Sequence, residues 1–353
     1  MSSSNAYRAA GVDLEAQERA LAKVKKLARS TFNPAVLSEV GSFGGLFRLD
    51  TSKMADPVLV ASADGVGTKL MVARMAGDYS TVGQDLVNHC VNDILVQGAQ
   101  PLFFLDYVGA GVLEPGATVS LVEGVRGGCK ENSCVLLGGE LAEMPGFYQA
   151  GDYELVGFIV GMVDRPSILD GSRVKVGDIL IGLPSSGLHT NGYSLARKIL
   201  LEDAGLGLSD PLPGTRLEVG RSLLAPHRSY LSTLRPVLDH PGLHALAHIT
   251  GGGITDNLPR VLSPRTHAEV KIGCWEVPPI FHVLQELGDV PTEEMFRVFN
   301  MGVGMVAIVA QESLAEILPL LGKGKNKAFV MGSVVKGGSA VVYDFGAQPS
   351  EEA

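Results

Sequence analysis

The sequence predicts two α/β domains in series, and three observations predict them. Apolar strand-like runs alternate with helical patterns in each half. In both halves, Gly-rich loops follow directly on apolar strands. The 353 residues, 46% hydrophobic and 19% charged, exceed one small core and suffice for two. The expected divisions are an N-terminal arm and mobile segment over 1–56, a first domain over 57–168, a second α/β domain over 169–345 and a disordered tail over 346–353. The break falls where DRPSILDGSRVKV (164–176) turns polar.

The arm opens with a charged helical pattern, VDLEAQERALAKVKKLAR, followed by the Gly- and Ser-rich GSFGGLF (41–47). PVLVAS then reads as a buried strand and Thr81 to Gln97 as a helix that ends at Gly98. PLFFLDYV reads as a strand, Ala117 to Lys130 as a helix, and SCVLLGG and YELVGFIVGMV as two more strands. Helices between strands imply a sheet with one face covered. The second half restarts with the strand GDILIGLP, a polar loop and the helix NGYSLARKILLED. LHALAHIT and GGGITDNLPRVL repeat the strand, Gly loop, helix order. Turns follow around Val277–Pro279, and GVGMVAIVA, KAFVMGSVV and SAVVYDF close the chain as strands.

SADGVGTKL (62–70) has the composition of a phosphate loop but fits neither standard template. The NTPase pattern needs Gly before Lys and a hydroxyl after it, whereas Thr68 precedes Lys69 and Leu70 follows; GxGxxG fails at Leu70. The physical ingredients remain. Gly65 and Gly67 admit close backbone approach, and Thr68 and Lys69 supply donors. Asp64 repels phosphate unless a divalent cation lies between them, which points to Mg²⁺. Along the Thr81–Gln97 helix, Leu86, Val87, Cys90, Ile94 and Leu95 form an apolar face. The opposite face carries Asp85, Asn88, His89, Asn92 and Asp93, short polar heads with no lysine. Asp93 sits near the C-terminal end, where a carboxylate is disfavoured without a cation; His89 reads as structural.

Two further acids, Asp106 inside an apolar strand and Glu140 after LLGG, occupy poor places for plain structure. Strand ends in α/β layers bind ligands, so Glu140 joins Asp64 and Asp93 as an expected metal ligand, with Glu143 a weaker candidate. In SSGLHTNGYSL, His189 and Asn191 lie between glycines, and a near-neutral imidazole suits proton transfer. Thr190 or Asn191 is also suited to cap the helix that follows. Gly251, Gly252 and Gly253 form a third Gly-rich loop suited to a substrate phosphate.

The net charge of −9, with no basic cluster beyond Lys23, Lys25 and Lys26, argues against a nucleic-acid partner. No run approaches the ~18 apolar residues of a membrane span, and no apolar leader follows the N-terminus. Cys90, Cys129, Cys134 and Cys274 form no CxxC pair and read as thiols of a reducing compartment, so a cytoplasmic location is expected.

DGVGTKL, CVNDILVQGAQPLFFLDY, GGELAEMPGFY, SSGLHTNGYSLARKIL, HITGGGITDNLPR and FNMGVGM, in that order, resemble the phosphoribosylformylglycinamidine cyclo-ligase family of purine biosynthesis, aminoimidazole ribonucleotide synthetases. The resemblance runs from about Tyr7 to Asp344. It implies a first domain that binds ATP and Mg²⁺ and whose mixed sheet pairs into a barrel across a homodimer. It also implies ATP-dependent closure of formylglycinamidine ribonucleotide through phosphorylation of its formyl oxygen and attack by the amidine nitrogen. By motif match, Asp64, Gly65, Gly67, Thr68 and Lys69 fall at the ATP site, Asp64, Asp93 and Glu140 at the metal, and Gly251–Gly253 with His189 at the substrate. His189, Asn191 and Lys69 fall to catalysis, and Lys25 of the mobile arm reaches the site. One departure is AGVDLEAQ, where the family usually reads AGVDIDAG and Gln17 replaces Gly. Related ATP-using families fit less well. A selenophosphate synthetase carries a reactive Cys in its N-terminal segment, a thiamine-monophosphate kinase lacks the GLHTNG and HITGGG pair, and the formylglycinamidine synthetases are far longer. A non-catalytic scaffold would have lost the acids.

Overall fold

The computed structural model describes residues 14–338 and 340–346. Residues 1–13 of the expected arm, and all of the expected tail but Gly346, lie outside them. A mixed α/β fold with two mixed sheets results. The helices are α1 (Leu14–Arg29), α2 (Lys69–Ala76), α3 (Val82–Leu95), α4 (Pro115–Glu131), α5 (Tyr193–Arg197), α6 (Val219–Leu223), α7 (Leu231–Leu234), α8 (Gly253–Asn257), α9 (Pro279–Gly288), α10 (Thr292–Val298) and α11 (Leu314–Ile317). The strands are β1 (Pro57–Gly65), β2 (Gln100–Ala110), β3 (Val135–Glu143), β4 (Tyr153–Asp164), β5 (Ile179–Pro184), β6 (Leu243–His248), β7 (Thr266–Lys271), β8 (Val303–Val309), β9 (Phe329–Lys336) and β10 (Val341–Asp344).

The first sheet runs β1-β4-β2-β3, antiparallel except for the parallel pair β2 and β3 that α4 connects. A parallel pair requires such a crossover. Alternation along the strands sorts their side chains. Leu155, Ile159 and Val163 of β4 are buried on the face that α3 covers, whereas Leu59 and Phe158 stand 57% and 42% exposed on the opposite, uncovered face. Helices α3 and α4 approach closely because Gly83 faces Gly124; a Cβ on Gly83 would strike the backbone of α4. Helix α1 packs on α4 and β3, with Ala20 and Ala28 buried and the hydroxyl of Thr31 accepting the Leu136 N–H at 2.9 Å.

The second sheet runs β10-β7-β9-β5-β8-β6, antiparallel except for β10 beside β7. β8 is buried at every residue. The strand β7 and helices α9 and α10 add elements that periodicity did not single out. Likewise SADGVGTKL is not one loop: β1 continues to Gly65 and α2 starts at Lys69. The expected thiols divide, Cys90, Cys129 and Cys134 being buried and Cys274 exposed. Among the described residues, no helix is long and apolar enough to cross a membrane.

Candidate active site

The two halves meet along α3. Apart from Asp93, its polar face is as buried as its apolar one: Asp85, Asn88, His89 and Asn92 are 0–5% exposed. Each of three short side chains anchors the segment His227–Tyr230 of the second half. Asp85 accepts the His227 N–H at 2.6 Å, Asn88 donates to the His227 carbonyl at 2.8 Å, and Asn92 donates to the Arg228 carbonyl at 2.9 Å while accepting the Tyr230 N–H at 3.0 Å. Buried polar groups require such partners, which explains a helix face without lysine.

A cleft of about 980 Å³ opens at this seam, walled by the end of β1, the outer part of α3, the loop before α5, the end of β6 and the turn into α8. Asp64, Gly65, Gly67, Asp93, Asn191 and Gly251 all line it, so the structure brings together these six sequence-predicted residues from both halves. His89 joins the acids: its Nε2 lies 2.8 Å from Asp64 Oδ2 and 3.7 Å from Asp93 Oδ2. His248 Nδ1 lies 2.8 Å from Asp93 Oδ1, and Ser62 donates to Asp93 Oδ2 at 3.2 Å.

Burial raises the Asp64 carboxyl, but the hydrogen bond and charge of His89 and the Gly65 N–H outweigh it and hold the group below the usual carboxylate range. Burial likewise raises Asp93, and His248, His89 and Ser62 together bring it below that range. His89 moves the other way. Burial lowers it, yet the carboxylates of Asp64 and Asp93 lift it above the ordinary imidazole value. Asn191 Nδ2 is buried with no hydrogen-bond partner among the described residues, an unspent donor in the cleft wall.

Other expected residues lie elsewhere. Lys69 does not reach the cleft. It is fully buried in the seam, paired with Asp85 at 2.7 Å and donating to the carbonyls of Ala225 at 2.7 Å and His189 at 3.2 Å. The ammonium on which a phosphate contact was expected is engaged by these partners. Thr68 is exposed, 3.4 Å from the Ser194 hydroxyl. His189, expected beside the substrate, lies behind the cleft wall. Its ring is fully buried, stacked on His227 at 4.0 Å, with Nε2 accepting the Ser186 N–H at 3.2 Å. Its φ of 62° places it in the left-handed region, and burial, with neighbouring positive charge, pushes its imidazole well down.

Glu140 is not brought to Asp64 and Asp93 within the chain. It lines a separate cavity of about 720 Å³ with Lys25 and Asp106, under α1 and beside β2 and β3. Glu143 donates no side to the cleft; its carboxylate accepts the Leu113 N–H at 2.9 Å. Gly252 and Gly253 carry the left-handed backbone into α8, and a Cβ on Gly253 would strike the carbonyl of Phe296. His248, Thr190 and Arg260 also line the cleft and were not singled out from sequence. The signal for His248 was present, since HIT directly precedes the triple glycine.

A family model described as AIR synthase related protein, N-terminal domain, matches residues 45–163, and its C-terminal counterpart matches 175–344. Phosphoribosylformylglycinamidine cyclo-ligase of Trichlorobacter lovleyi is 49% identical over 328 residues, 93% of this chain and 94% of the relative. The protein of that name from Bacillus cereus is 47% identical over 333 residues, covering 94% and 96%. Among solved structures, thiamine-monophosphate kinase from Stenotrophomonas maltophilia superposes with a TM-score of 0.67 at 17% identity, covering 92% of this chain and 96% of that one. The hydrogenase maturation protein HypE in complex with ATP gives 0.65 at 16% identity, covering 90% and 88%. At such identities these structures are alike in fold.

Proposed function

Because the chain belongs to the phosphoribosylformylglycinamidine cyclo-ligases of the AIR synthase related family, we infer that it catalyses the ATP-dependent closure of formylglycinamidine ribonucleotide to 5-aminoimidazole ribonucleotide, a step of purine biosynthesis. The carrying observation is identity of 47–49% across 93–94% of the chain to relatives of that name. An amide oxygen is a poor leaving group, so ATP first phosphorylates the formyl oxygen. The amidine nitrogen then attacks the activated carbon, closes the imidazole and expels phosphate, leaving ADP as the other product. Such transfers depend chiefly on positioning and charge stabilisation.

Within this reading Asp64 and Asp93 hold Mg²⁺. Two carboxylates from β1 and α3, both held below the usual carboxylate range and lining one cleft, form an oxygen donor set that fits a hard divalent ion. Mg²⁺ supplies charge neutralisation to the triphosphate. Gly65, Gly67 and Thr68 let the nucleotide approach the backbone, and Arg260 supplies a cation at the far wall. Asn191 donates its free Nδ2 to the substrate, and Gly251 leaves room for the phosphate beside it. Lys69 and His189 act as positioning residues: Lys69 holds the His189 and Ala225 carbonyls, and His189 fixes the loop that carries Thr190 and Asn191.

A homodimer whose first sheets pair into a barrel is part of the proposal, as are the domain limits 57–168 and 169–345 and a cytoplasmic location. The apolar uncovered face around Leu59 and Phe158 supports the dimer. Glu140 and Lys25 are assigned to the assembled form, since Glu140 is exposed on β3 with Tyr107 as its cross-strand neighbour on that face.

The test is turnover of formylglycinamidine ribonucleotide with ATP and Mg²⁺, following ADP and aminoimidazole ribonucleotide together. Equal release of both is expected, and Asp93→Asn should abolish it by at least about 10²-fold. ADP release without the imidazole would sink the cyclisation.

A further inference from the structure

We propose that His89 and His248 join Asp64 and Asp93 as ligands, making a mixed nitrogen–oxygen site that takes Mn²⁺, Co²⁺ or Zn²⁺ more tightly than Mg²⁺. The inference rests on the reading that the two carboxylates face a cation. It adds nitrogen donors to them, and with those a different class of ion.

Separation is the first support. His89 Nε2 to Asp64 Oδ2 is 2.8 Å, His89 Nε2 to Asp93 Oδ2 is 3.7 Å, and His248 Nδ1 to Asp93 Oδ1 is 2.8 Å. Donors about 2.0–2.2 Å from one ion stand roughly 3 to 3.5 Å apart, so these spacings need only small adjustments. His89, Asp93 and His248 each offer a donor atom within 4.8 Å of the others.

The outer nitrogens are the second support. A ligating imidazole has its other ring nitrogen tethered, which fixes the ring's aim. His89 Nδ1 lies 2.8 Å from the Thr190 hydroxyl, and His248 Nε2 lies 3.2 Å from His227 Nε2. The hydroxyl and the neutral imidazole can each donate or accept, so both rings can give up the proton that faces a carboxylate and present a lone pair instead.

Access is the third. The imidazoles are 6% and 3% exposed at the side chain, against 40% for Asp64 and 26% for Asp93. The nitrogens thus form the inner wall, and the outer side stays open for phosphate oxygens. For imidazole donors affinity rises from Mn²⁺ through Co²⁺ to a maximum at Cu²⁺, with Zn²⁺ below that maximum, whereas Mg²⁺ selects oxygen. His248 comes from β6 and the other three from the first half, so the site exists only with the seam closed.

The experiment uses full-length protein freed of metal by chelation. Mn²⁺ alone is added and nitrogen coupling is read by pulsed electron paramagnetic resonance; Co²⁺ and Mg²⁺ affinities are measured by titration. We expect ¹⁴N coupling from two imidazoles. His89→Gln and His248→Gln should each remove one coupling and weaken Co²⁺ roughly 100-fold while leaving Mg²⁺ little changed. Thr190→Val, which touches no ion, should keep both couplings and weaken Co²⁺ less, separating ligation from mere support of the carboxylates. Absence of ¹⁴N coupling, or wild-type Co²⁺ affinity in folded histidine variants, overturns the proposal. Nitrogen coupling in a protein that fails to cyclise the ribonucleotide with any of these ions overturns the functional reading and leaves the metal site standing.

Discussion

Asp106 sits inside β2 with its Oδ2 buried and without a hydrogen-bond partner among the described residues, and burial raises its carboxyl to about 7. Its cross-strand neighbour Gly139 is a glycine of necessity, because a Cβ there would collide with the Asp106 carboxylate. A raised folded-state value means that the folded protein holds a proton the unfolded chain releases. Stability should therefore fall as pH rises from about 4 to about 7, by at most about 1.4 kcal/mol per unit from this group. Asp106→Asn removes that slope. Urea unfolding should find the variant close to wild type near pH 4 and more stable at pH 7.5; equal stability at pH 7.5 would show Asp106 ionised without cost. At this scale the sequence was legible where chemistry is local. Asp64 and Asp93 stood out as acids in places that plain structure disfavours, and both line the cleft. For Lys69 and His189 residue type alone did not reveal burial, because it is set by partners such as His227 and Ala225, 38 and 156 positions away.

Helix α3 teaches the same lesson one level up. Its period sorted Leu86, Cys90 and Ile94 onto one face correctly, and all three are buried in the core. Periodicity cannot say what covers a polar face, and here a segment about 140 residues downstream covers it. Helices α2 and α3 are joined by the Lys69–Asp85 pair, both side chains 0% exposed. Burial pushes the Lys69 ammonium down and the Asp85 carboxyl up, so each charge persists only with its partner. Lys69→Met should cost about 3–5 kcal/mol, since it strands a buried carboxylate; Lys69→Met with Asp85→Leu should recover much of the loss. Chemical denaturation of the single and double variants reads this directly, and a double variant no better than the single would place the cost in lost hydrogen bonds to Ala225 and His189.

For the whole molecule, strand order and the second sheet's extra strand β7 lay beyond periodicity, because THAEVK has too few apolar residues to announce itself; its partners β9 and β10 supply the burial. The uncovered face of the first sheet carries the prediction at this scale. Sedimentation should show a dimer, and Phe158→Glu, with Leu59→Glu as a second variant, should shift it to monomer and remove turnover; a monomeric wild type would end the barrel proposal. The docking strip on α3 has a further bearing on how the protein is made. Asp85, Asn88 and Asn92 leave the ribosome well before His227 to Tyr230, their partners 136 to 142 residues downstream in sequence. At roughly 5–20 residues per second that is about 7 to 30 s during which the nascent first half displays this polar row, its Asp85 already paired with Lys69, without the segment that covers it. Water can serve that row in the meantime, as it could not serve an apolar one. The polar seam lets the first half wait in soluble form until its cover is synthesised.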